Sequence, residues 1–343
     1  MSEITIIGGG SWGLAMALML CNNSHKVRVW EYSKKNVEIL QKTRTNNDYL
    51  KDIYFPEDIV FTNDVAETFC NNPELVILSV PSSYLRKTLE LHKENFKSIN
   101  ERNFKAIVNL AKGLEEGSLK RMSEVIKDEL PINLHKKICS LSGPSHAEEV
   151  ACKIPTAVVV AGENEATLQY VQTEFSNINF RVYTSLDIVG VEIGAAVKNI
   201  IAIAAGVVDG LSFGDNTKGA LLTRGLAEIQ RLGQALNANP ETFAGLSGLG
   251  DLVTTAISQH SRNRFVGYHL GKGRKLSEIL SEMVMVAEGV VTTKNIRALK
   301  EKLNVSMPIT EEMYQVLFNN KNPKDALIDL MSRDLKSENE DRI

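Results

Sequence analysis

Short, unbroken apolar runs recur through the first half of the chain: Ile4–Ile7, Val27–Trp30, Leu75–Val80, Ala106–Leu110, Ile138–Leu141 and Ala157–Ala161. Continuous rather than alternating hydrophobicity predicts strands covered on both faces, and the helical segments between them predict parallel crossovers. The expected architecture is α/β, with an N-terminal Rossmann-like, doubly wound, mostly parallel sheet. From Thr184 onward long Ala/Ile/Leu/Glu stretches take over, beginning with Asp187–Leu211 and Thr217–Leu236, which predicts an all-helical C-terminal domain. No Pro/Gly linker separates the two patterns, so the first long helix is expected to follow the last strand directly. The divisions are residues 1–185, 186–335 and a polar tail at 336–343.

Composition narrows the function more than the fold. The 343 residues carry 39 Lys+Arg against 42 Asp+Glu, a net charge of −3, so no basic surplus points to nucleic acid or an anionic membrane. Cys21, Cys70, Cys139 and Cys152 form no CxxC pair and share no spacing with the six histidines. They are read as reduced and mostly packing residues, with neither a structural zinc site nor a disulfide framework expected. No apolar run is read as approaching the ~18 to 20 residues of a spanning helix, and the chain passes directly into Ile4 without a charged leader, so no membrane span and a cytoplasmic location are expected.

Gly8-Gly9-Gly10-Ser11-Trp12-Gly13 contains GxGxxG between a strand and a helix. Gly8 permits a tight turn, Gly10 lets the backbone approach a pyrophosphate, and Gly13 lets the helix pack on the strand. The helix start, with its unpaired amides, holds the phosphates. Twenty-one residues past Gly10, Glu31 ends the second strand. A carboxylate there accepts hydrogen bonds from an adenosine ribose and repels a 2′-phosphate, which favours NAD over NADP. Lys34 and Lys35 stand against that preference, and a plain strand-end role for Glu31 is the alternative.

Ligands of such folds sit beyond the carboxyl ends of the strands. Lys112 follows one strand and precedes Gly113, a position suited to a ligand-facing cation. Ser142-Gly143-Pro144-Ser145-His146 follows another, with Ser145 expected to cap a helix. In the second domain, Val191–Ile203 is apolar except for Glu192 and the Lys198-Asn199 pair. A lysine embedded there is costly to bury unless paired or used. Gly245–Gly250 runs into a helix with Asp251 expected at its N-cap. Ser261-Arg262-Asn263-Arg264 offers a hydroxyl, an amide and the guanidinium fork that suits phosphate. Val286-Ala287-Glu288-Gly289 reads by composition as a helix start.

In this order the segments GGGSWGLAMA, LILSVPSSYLR, NLAKGLEEGS, LSGPSHAEEV with PTAVVVAG, VEIGAAVKNIIAIAAGVVDGL, GDNTKGALLTRGLAE, GLSGLGDLVTT and SRNRFVG resemble the NAD(P)-dependent glycerol-3-phosphate dehydrogenases of the soluble bacterial type. The resemblance runs from residue 4 to about 290. It implies interconversion of sn-glycerol 3-phosphate and dihydroxyacetone phosphate by hydride transfer at C2, with NAD or NADP and no metal, and a role in supplying phospholipid synthesis. Lys198 matches the general acid/base. Lys112, Gly143, Ser145, Asp251, Ser261, Arg262 and Asn263 match substrate contacts, with Asn199 beside the base and Thr255 nearby. Gly8, Gly10, Ser11, Trp12, Gly13, Glu31, Tyr32, Lys112, Ala147, Arg262, Val286 and Glu288 match cofactor contacts.

Three positions depart from the common pattern: Glu31-Tyr32 in place of a small residue followed by Arg or His, His146 in place of Phe, and Ala256 in place of Cys. The first weakens the case for NADP. Two rivals remain: another Rossmann/helical dehydrogenase of the 3-hydroxy acid or ketopantoate type, and a catalytically silent dinucleotide sensor. A Lys-Asn helix is common to the rival dehydrogenases; the SRN and LSGPS segments are not. The apolar content of the helical domain allows a homodimer.

Overall fold

A computed structural model of the chain describes all residues except Val284, Lys336 and 339–343. Most of the expected polar tail therefore lies outside the described residues. The chain divides into two compact units, one of residues Met1–Ala111 with Met122–Ile188, the other of Lys112–Arg121 with Val189 onward. The expected continuous span 1–185 is thus interrupted, because Lys112–Arg121 packs with the helices.

The strands of the first unit are β1 (Glu3–Ile7), β2 (Lys26–Trp30), a small hairpin of β3 (Thr45–Asn46) and β4 (Leu50–Tyr54), β5 (Ile59–Thr62), β6 (Leu75–Leu78), β7 (Ala106–Asn109), β8 (Ile138–Ser142), β9 (Thr156–Gly162) and β10 (Phe180–Ser185). Eight of them form one sheet in the order β10-β9-β8-β7-β6-β1-β2-β5. All its pairings are parallel except β8 with β9. The chain winds outward from β1 through β2 to β5, then returns to β6 on the other side of β1. That reversal makes the carboxyl end of β1 the switch point where such sheets bind ligands.

Helices α1 (Ser11–Asn22), α2 (Lys34–Thr43), α3 (Leu85–Leu91), α4 (Lys93–Lys97), α5 (Met122–Glu129), α6 (Ala147–Ala151) and α7 (Glu165–Phe175) belong to this unit. They bury two apolar clusters: Ile4, Ile6, Val27, Val29 and Val108 lie in the one with α1 and α7, and Ile7, Val76, Leu78 and Ile107 in the one with α3 and α5. Neighbours in one strand fall in different clusters, which accounts for the unbroken apolar runs.

The second unit holds α8 (Ile188–Gly210), α9 (Asp215–Ala235), α10 (Asp251–Ile257), α11 (Arg262–Gly271), α12 (Leu276–Glu282), α13 (Glu288–Leu303), α14 (Pro308–Phe318) and α15 (Pro323–Met331). Contrary to expectation, one segment among the described residues is long and apolar enough to cross a membrane: α8, with a mean hydropathy of 1.8 in its most apolar window. That window is 94% buried inside the protein, so α8 is the core around which its unit packs.

Helix α11 crosses α8 at backbone contact. A Cβ on Gly206 would lie 2.1 Å from the Arg264 carbonyl oxygen, on Gly210 2.3 Å from that of Tyr268, and on Gly267 1.8 Å from that of Ile203. Gly206/Gly210 and Gly267/Gly271 are thus matched pairs four residues apart, one turn of helix each. The first turn of α14 is held by the buried Glu228 of α9, whose carboxylate accepts hydrogen bonds from the backbone N–H groups of Ile309 and Thr310. The cysteines are free, but only Cys139 is fully buried; Cys70 and Cys152 are exposed, so they are not packing residues.

Candidate active site

In the sheet unit the glycine loop takes the shape its residues predict. Gly8 has φ +114°, and a Cβ there would lie 2.7 Å from the Ser79 carbonyl carbon, so only glycine makes this turn. A Cβ on Gly13 would meet the Gly8 carbonyl oxygen at 2.0 Å, which binds α1 tightly to β1. Beside Gly10 nothing lies within 4 Å, and the first turn of α1 carries no acidic residue. An open backbone edge and unneutralised amides from Ser11, Trp12 and Gly13 fit a dinucleotide pyrophosphate.

Glu31 is buried at the end of β2, and its carboxylate accepts from the N–H of Gly9 at 2.9 Å and of Ser33 at 3.0 Å. It therefore ties β2 to the glycine loop. Tyr32 beside it is exposed, with its ring edge-on to Trp30. At the exit of β8, Ser145 caps nothing: His146 is the N-cap of α6, and the Ser145 hydroxyl instead donates to the Gly143 carbonyl at 3.0 Å. The Ser-Gly-Pro-Ser turn holds itself, and Ala147 opens the helix behind it.

The helical unit brings four of the expected groups together. Lys198 on α8 donates to Asp251 Oδ1 at 2.5 Å and to Thr255 Oγ1 at 2.7 Å, while Lys112 donates to Asp251 Oδ2 at 2.8 Å. One carboxylate thus serves two lysines. Lys198 is 4% exposed and Asp251 2%, so both charges are taken from water. Burial pulls the Lys198 pKa down to about 7; Asp251 opposes this and the positive Lys112 adds to it. For Asp251, burial alone would raise the pKa, but the two lysines outweigh it and hold the carboxyl below its usual value.

Asp251 is not an N-cap. A wide π-helical turn, Leu246–Gly250, runs directly into α10, so Asp251 lies within helical backbone and its side chain accepts from the lysines instead of capping the helix. Glycines permit the placement. A Cβ on Gly194 of α8 would lie 2.7 Å from the Ser247 carbonyl oxygen, and one on Gly248 2.1 Å from that of Phe243.

Lys112 reaches Asp251 from the head of a ten-residue excursion, Lys112–Arg121, whose second residue, Gly113, has φ +145°. Three contacts fix this segment to the helices: Asn295 Nδ2 donates to the Leu114 carbonyl at 2.9 Å, Lys294 pairs with Glu116 at 2.6 Å, and Arg121 pairs with the buried Glu192 at 2.9 Å. Sequence reasoning missed Arg121 and Asn295. Glu192 was the available signal, since a carboxylate in an apolar helix calls for a cation; its partner could not be named from spacing.

A second polar chain lies alongside. Ser261 caps α11, its hydroxyl accepting from the Arg264 N–H at 3.2 Å, and the Arg262 side chain is exposed. Ahead of that bond, the N–H groups of Arg262 and Asn263 are the unpaired donors of the first turn. The buried Asn263 side chain donates to Asn199 Oδ1 at 2.9 Å and accepts from the Gly289 N–H at 2.9 Å. Gly289 belongs to the start of α13, where Ala287 is the N-cap, Glu288 the first residue and Val286 an exposed neighbour. Among the described residues no group of three or more His, Cys, Asp or Glu side chains could hold a metal ion.

Chemically, the helical unit offers a buried amine whose proton is exchangeable near neutrality, a hydroxyl and carboxylate to orient it, and an anion-receptive helix start. The sheet unit offers a dinucleotide cradle. Comparison with known proteins matches most of each unit to one family. A family model described as NAD-dependent glycerol-3-phosphate dehydrogenase N-terminus matches residues 3–168, and one described as the C-terminus of that enzyme matches 187–328.

A glycerol-3-phosphate dehydrogenase, NAD(P)+, of Thermoanaerobacter sp. (strain X514) is 48% identical over 336 residues, 98% of each chain. One of Geobacillus thermodenitrificans is 47% identical over 342 residues, 99% of this chain and 98% of the relative. Among solved structures, glycerol-3-phosphate dehydrogenase from Coxiella burnetii superposes with a TM-score of 0.90 at 35% identity, covering 97% of this chain and 99% of that one. A ketopantoate reductase from Ralstonia eutropha shares the fold alone, with a TM-score of 0.60 at 13% identity over 95% of this chain and 99% of that one.

Proposed function

The chain belongs to the NAD-dependent glycerol-3-phosphate dehydrogenase family, and from that premise we propose that it interconverts dihydroxyacetone phosphate and sn-glycerol 3-phosphate, with Lys198 moving the proton at the C2 oxygen. The observation that carries the reading is the shared carboxylate: Lys198, buried and bonded to an Asp251 that also serves Lys112, has a pKa drawn down to about 7. A group poised there donates a proton to the developing alkoxide during reduction and removes one from the hydroxyl during oxidation. A catalytically silent sensor has no use for such an amine.

Thr255 and Asp251 hold the Lys198 ammonium in one orientation. The substrate phosphate binds at the start of α11, where the backbone N–H groups of Arg262 and Asn263 are unpaired and the exposed Arg262 side chain carries a guanidinium suited to an anion. Gly143, Ser145 and Lys112 are proposed as further substrate contacts. Binding energy taken from the phosphate, remote from C2, aligns the reacting carbon, so phosphate-free dihydroxyacetone is expected to lose rate as well as affinity.

When bound, the nicotinamide supplies or accepts the hydride. This chain holds its dinucleotide through Gly8–Gly13, with Ala147, Val286 and Glu288 as further proposed contacts. A preference for NAD over NADP is supported by the Glu31 carboxylate at the end of β2. Glycerol 3-phosphate is the backbone unit of glycerophospholipids, which suits a role in lipid synthesis. Exposed thiols at Cys70 and Cys152 suit the reducing cytoplasm. Exposed Ile328 and Met331 on α15 support self-association through the helical unit, which sedimentation tests.

The test of the activity is the fall of NADH absorbance on adding dihydroxyacetone phosphate. The test of the mechanism is Lys198→Ala, expected to fold normally and lose turnover by about 10² to 10⁴-fold. Near-wild-type turnover would remove Lys198 from the chemistry.

A further inference from the structure

Asn263 is matched by resemblance to a substrate contact, yet its side-chain amide is spent inside the protein at both ends. The backbone N–H of Gly289 can only donate, so the atom of Asn263 that faces it must be the oxygen. The Nδ2 of Asn263 is therefore the atom turned to Asn199, and it must donate, so Asn199 faces it with Oδ1. One backbone group thus fixes the orientation of two successive amides. With its oxygen engaged, Asn199 keeps Nδ2, a double donor, as its available group, and among the described residues nothing accepts from it. Asn199 directly follows Lys198 on α8.

Gly289 makes this contact possible. A Cβ there would lie 2.7 Å from Asn263 Oδ1 and 2.9 Å from the Asn199 carbonyl oxygen. The Thr293 hydroxyl, donating to the Gly289 carbonyl at 2.7 Å, secures the turn.

We infer that the Asn263 side chain is a positioning group: it holds the Asn199 amide with its N–H donors, rather than its oxygen, toward the C2 oxygen of the substrate, leaving the backbone N–H of Asn263 for the phosphate. The inference rests on the reduction proposed above. Negative charge grows on the C2 oxygen as hydride arrives, and a preset donor stabilises it while a carbonyl oxygen in its place repels it. An amide free to turn supplies either.

The experiment compares wild type with Asn263→Asp and Asn263→Ala, using NADH with dihydroxyacetone phosphate and, at high concentration, with dihydroxyacetone. Aspartate keeps the acceptor for Gly289 but cannot donate to Asn199, which must turn its own N–H groups inward and its oxygen outward. The expected result is a kcat loss of about 10²-fold for Asn263→Asp, in the range for losing one such donor, and a smaller loss for Asn263→Ala. The fold-loss is the same with both substrates.

A loss confined to the KM for dihydroxyacetone phosphate and absent with dihydroxyacetone overturns the inference and makes the side chain a phosphate ligand. An unchanged kcat in both variants also overturns it. Should Asn263→Asp fail to fold, as judged by its thermal melt, the Asn263→Ala comparison across the two substrates decides alone. A wild-type protein that does not oxidise NADH with dihydroxyacetone phosphate overturns the reading on which the inference rests, a result visible before any variant is made.

Discussion

Replacing Lys112 by Met should move the titration of Lys198 toward higher pH. Lys112 and Lys198 donate to opposite oxygens of Asp251, at 2.8 and 2.5 Å. Geometry of that kind sets the two ammonium groups roughly 5 Å apart, and at an effective dielectric of about 20 two unit charges then repel by about 3 kcal/mol. Full removal of that repulsion would raise the Lys198 pKa by about 2 units. The Lys112 side chain is 18% exposed, so water already screens part of it, and a rise of about 1 to 2 units is the working expectation.

Losing Lys112 also leaves the whole carboxylate to Lys198, which acts in the same direction. The assay is kcat/KM for reduction of dihydroxyacetone phosphate against pH, which reports ionisations of the free enzyme. Reduction needs the ammonium form, so the wild-type profile should fall as pH rises through about 7, and that fall should move to higher pH in Lys112→Met. Titration of the substrate phosphate is common to both proteins and cancels in the comparison. Lys112→Arg, which retains the charge, should leave the inflection near its wild-type position. An inflection in Lys112→Met that stays in place, or moves to lower pH, would refute the argument that Lys112 helps to keep Lys198 near neutrality.

Asp251→Asn removes the one carboxylate opposing burial of Lys198, so the inflection should shift below 7 and reduction at neutral pH should fall; a shift to higher pH would contradict the charge balance. Gly267→Ala should cost stability although alanine favours helix by about 1 kcal/mol, because a Cβ 1.8 Å from the Ile203 carbonyl oxygen forces α8 and α11 apart. A net loss of about 2 kcal/mol is expected from overpacking, read from the denaturant midpoint, whereas Gly219→Ala on α9, with nothing within 4 Å of its Cβ, should be neutral or stabilising. Arg121→Ala takes the cation from the buried Glu192 and should cost about 3 kcal/mol, the scale for breaking a buried pair. It should also raise the KM for dihydroxyacetone phosphate by loosening the Lys112 segment, and Arg121→Lys should recover most of both losses.

The parts of the fold legible in the sequence are those in which one physical rule acts alone. Central strands such as β6 and β7, buried on both faces, show as unbroken apolar runs. Two outer strands do not follow that rule. In β10, the last strand at one edge, the exposed Arg181 and Tyr183 alternate with the buried Phe180 and Val182, and β5 at the other edge exposes Val60 within a four-residue strand. A pattern sought as continuous apolarity passes over both. The crossing of α8 and α11 was illegible for another reason: glycines four residues apart acquire meaning only when a second helix presents carbonyl oxygens to the same gap. Lys112–Arg121 stands amid sheet-forming sequence, and nothing local says that it packs with helices more than seventy residues downstream.

Lys198 and Asp251 could be named from sequence because each is a charged residue in surroundings that penalise charge. What could not be read is that they are not a simple pair. A single lysine matched to a single aspartate keeps its proton well above neutrality and serves only as a donor. With the carboxylate divided between two cations, the charge around Lys198 is only partly neutralised, and burial then brings its proton within reach of release at about pH 7. Such a group can act in both directions of a reversible oxidation. The arrangement requires a second lysine inside the helical unit, and the excursion that carries Lys112, fixed by Arg121 on Glu192 and by Asn295 on Leu114, supplies it.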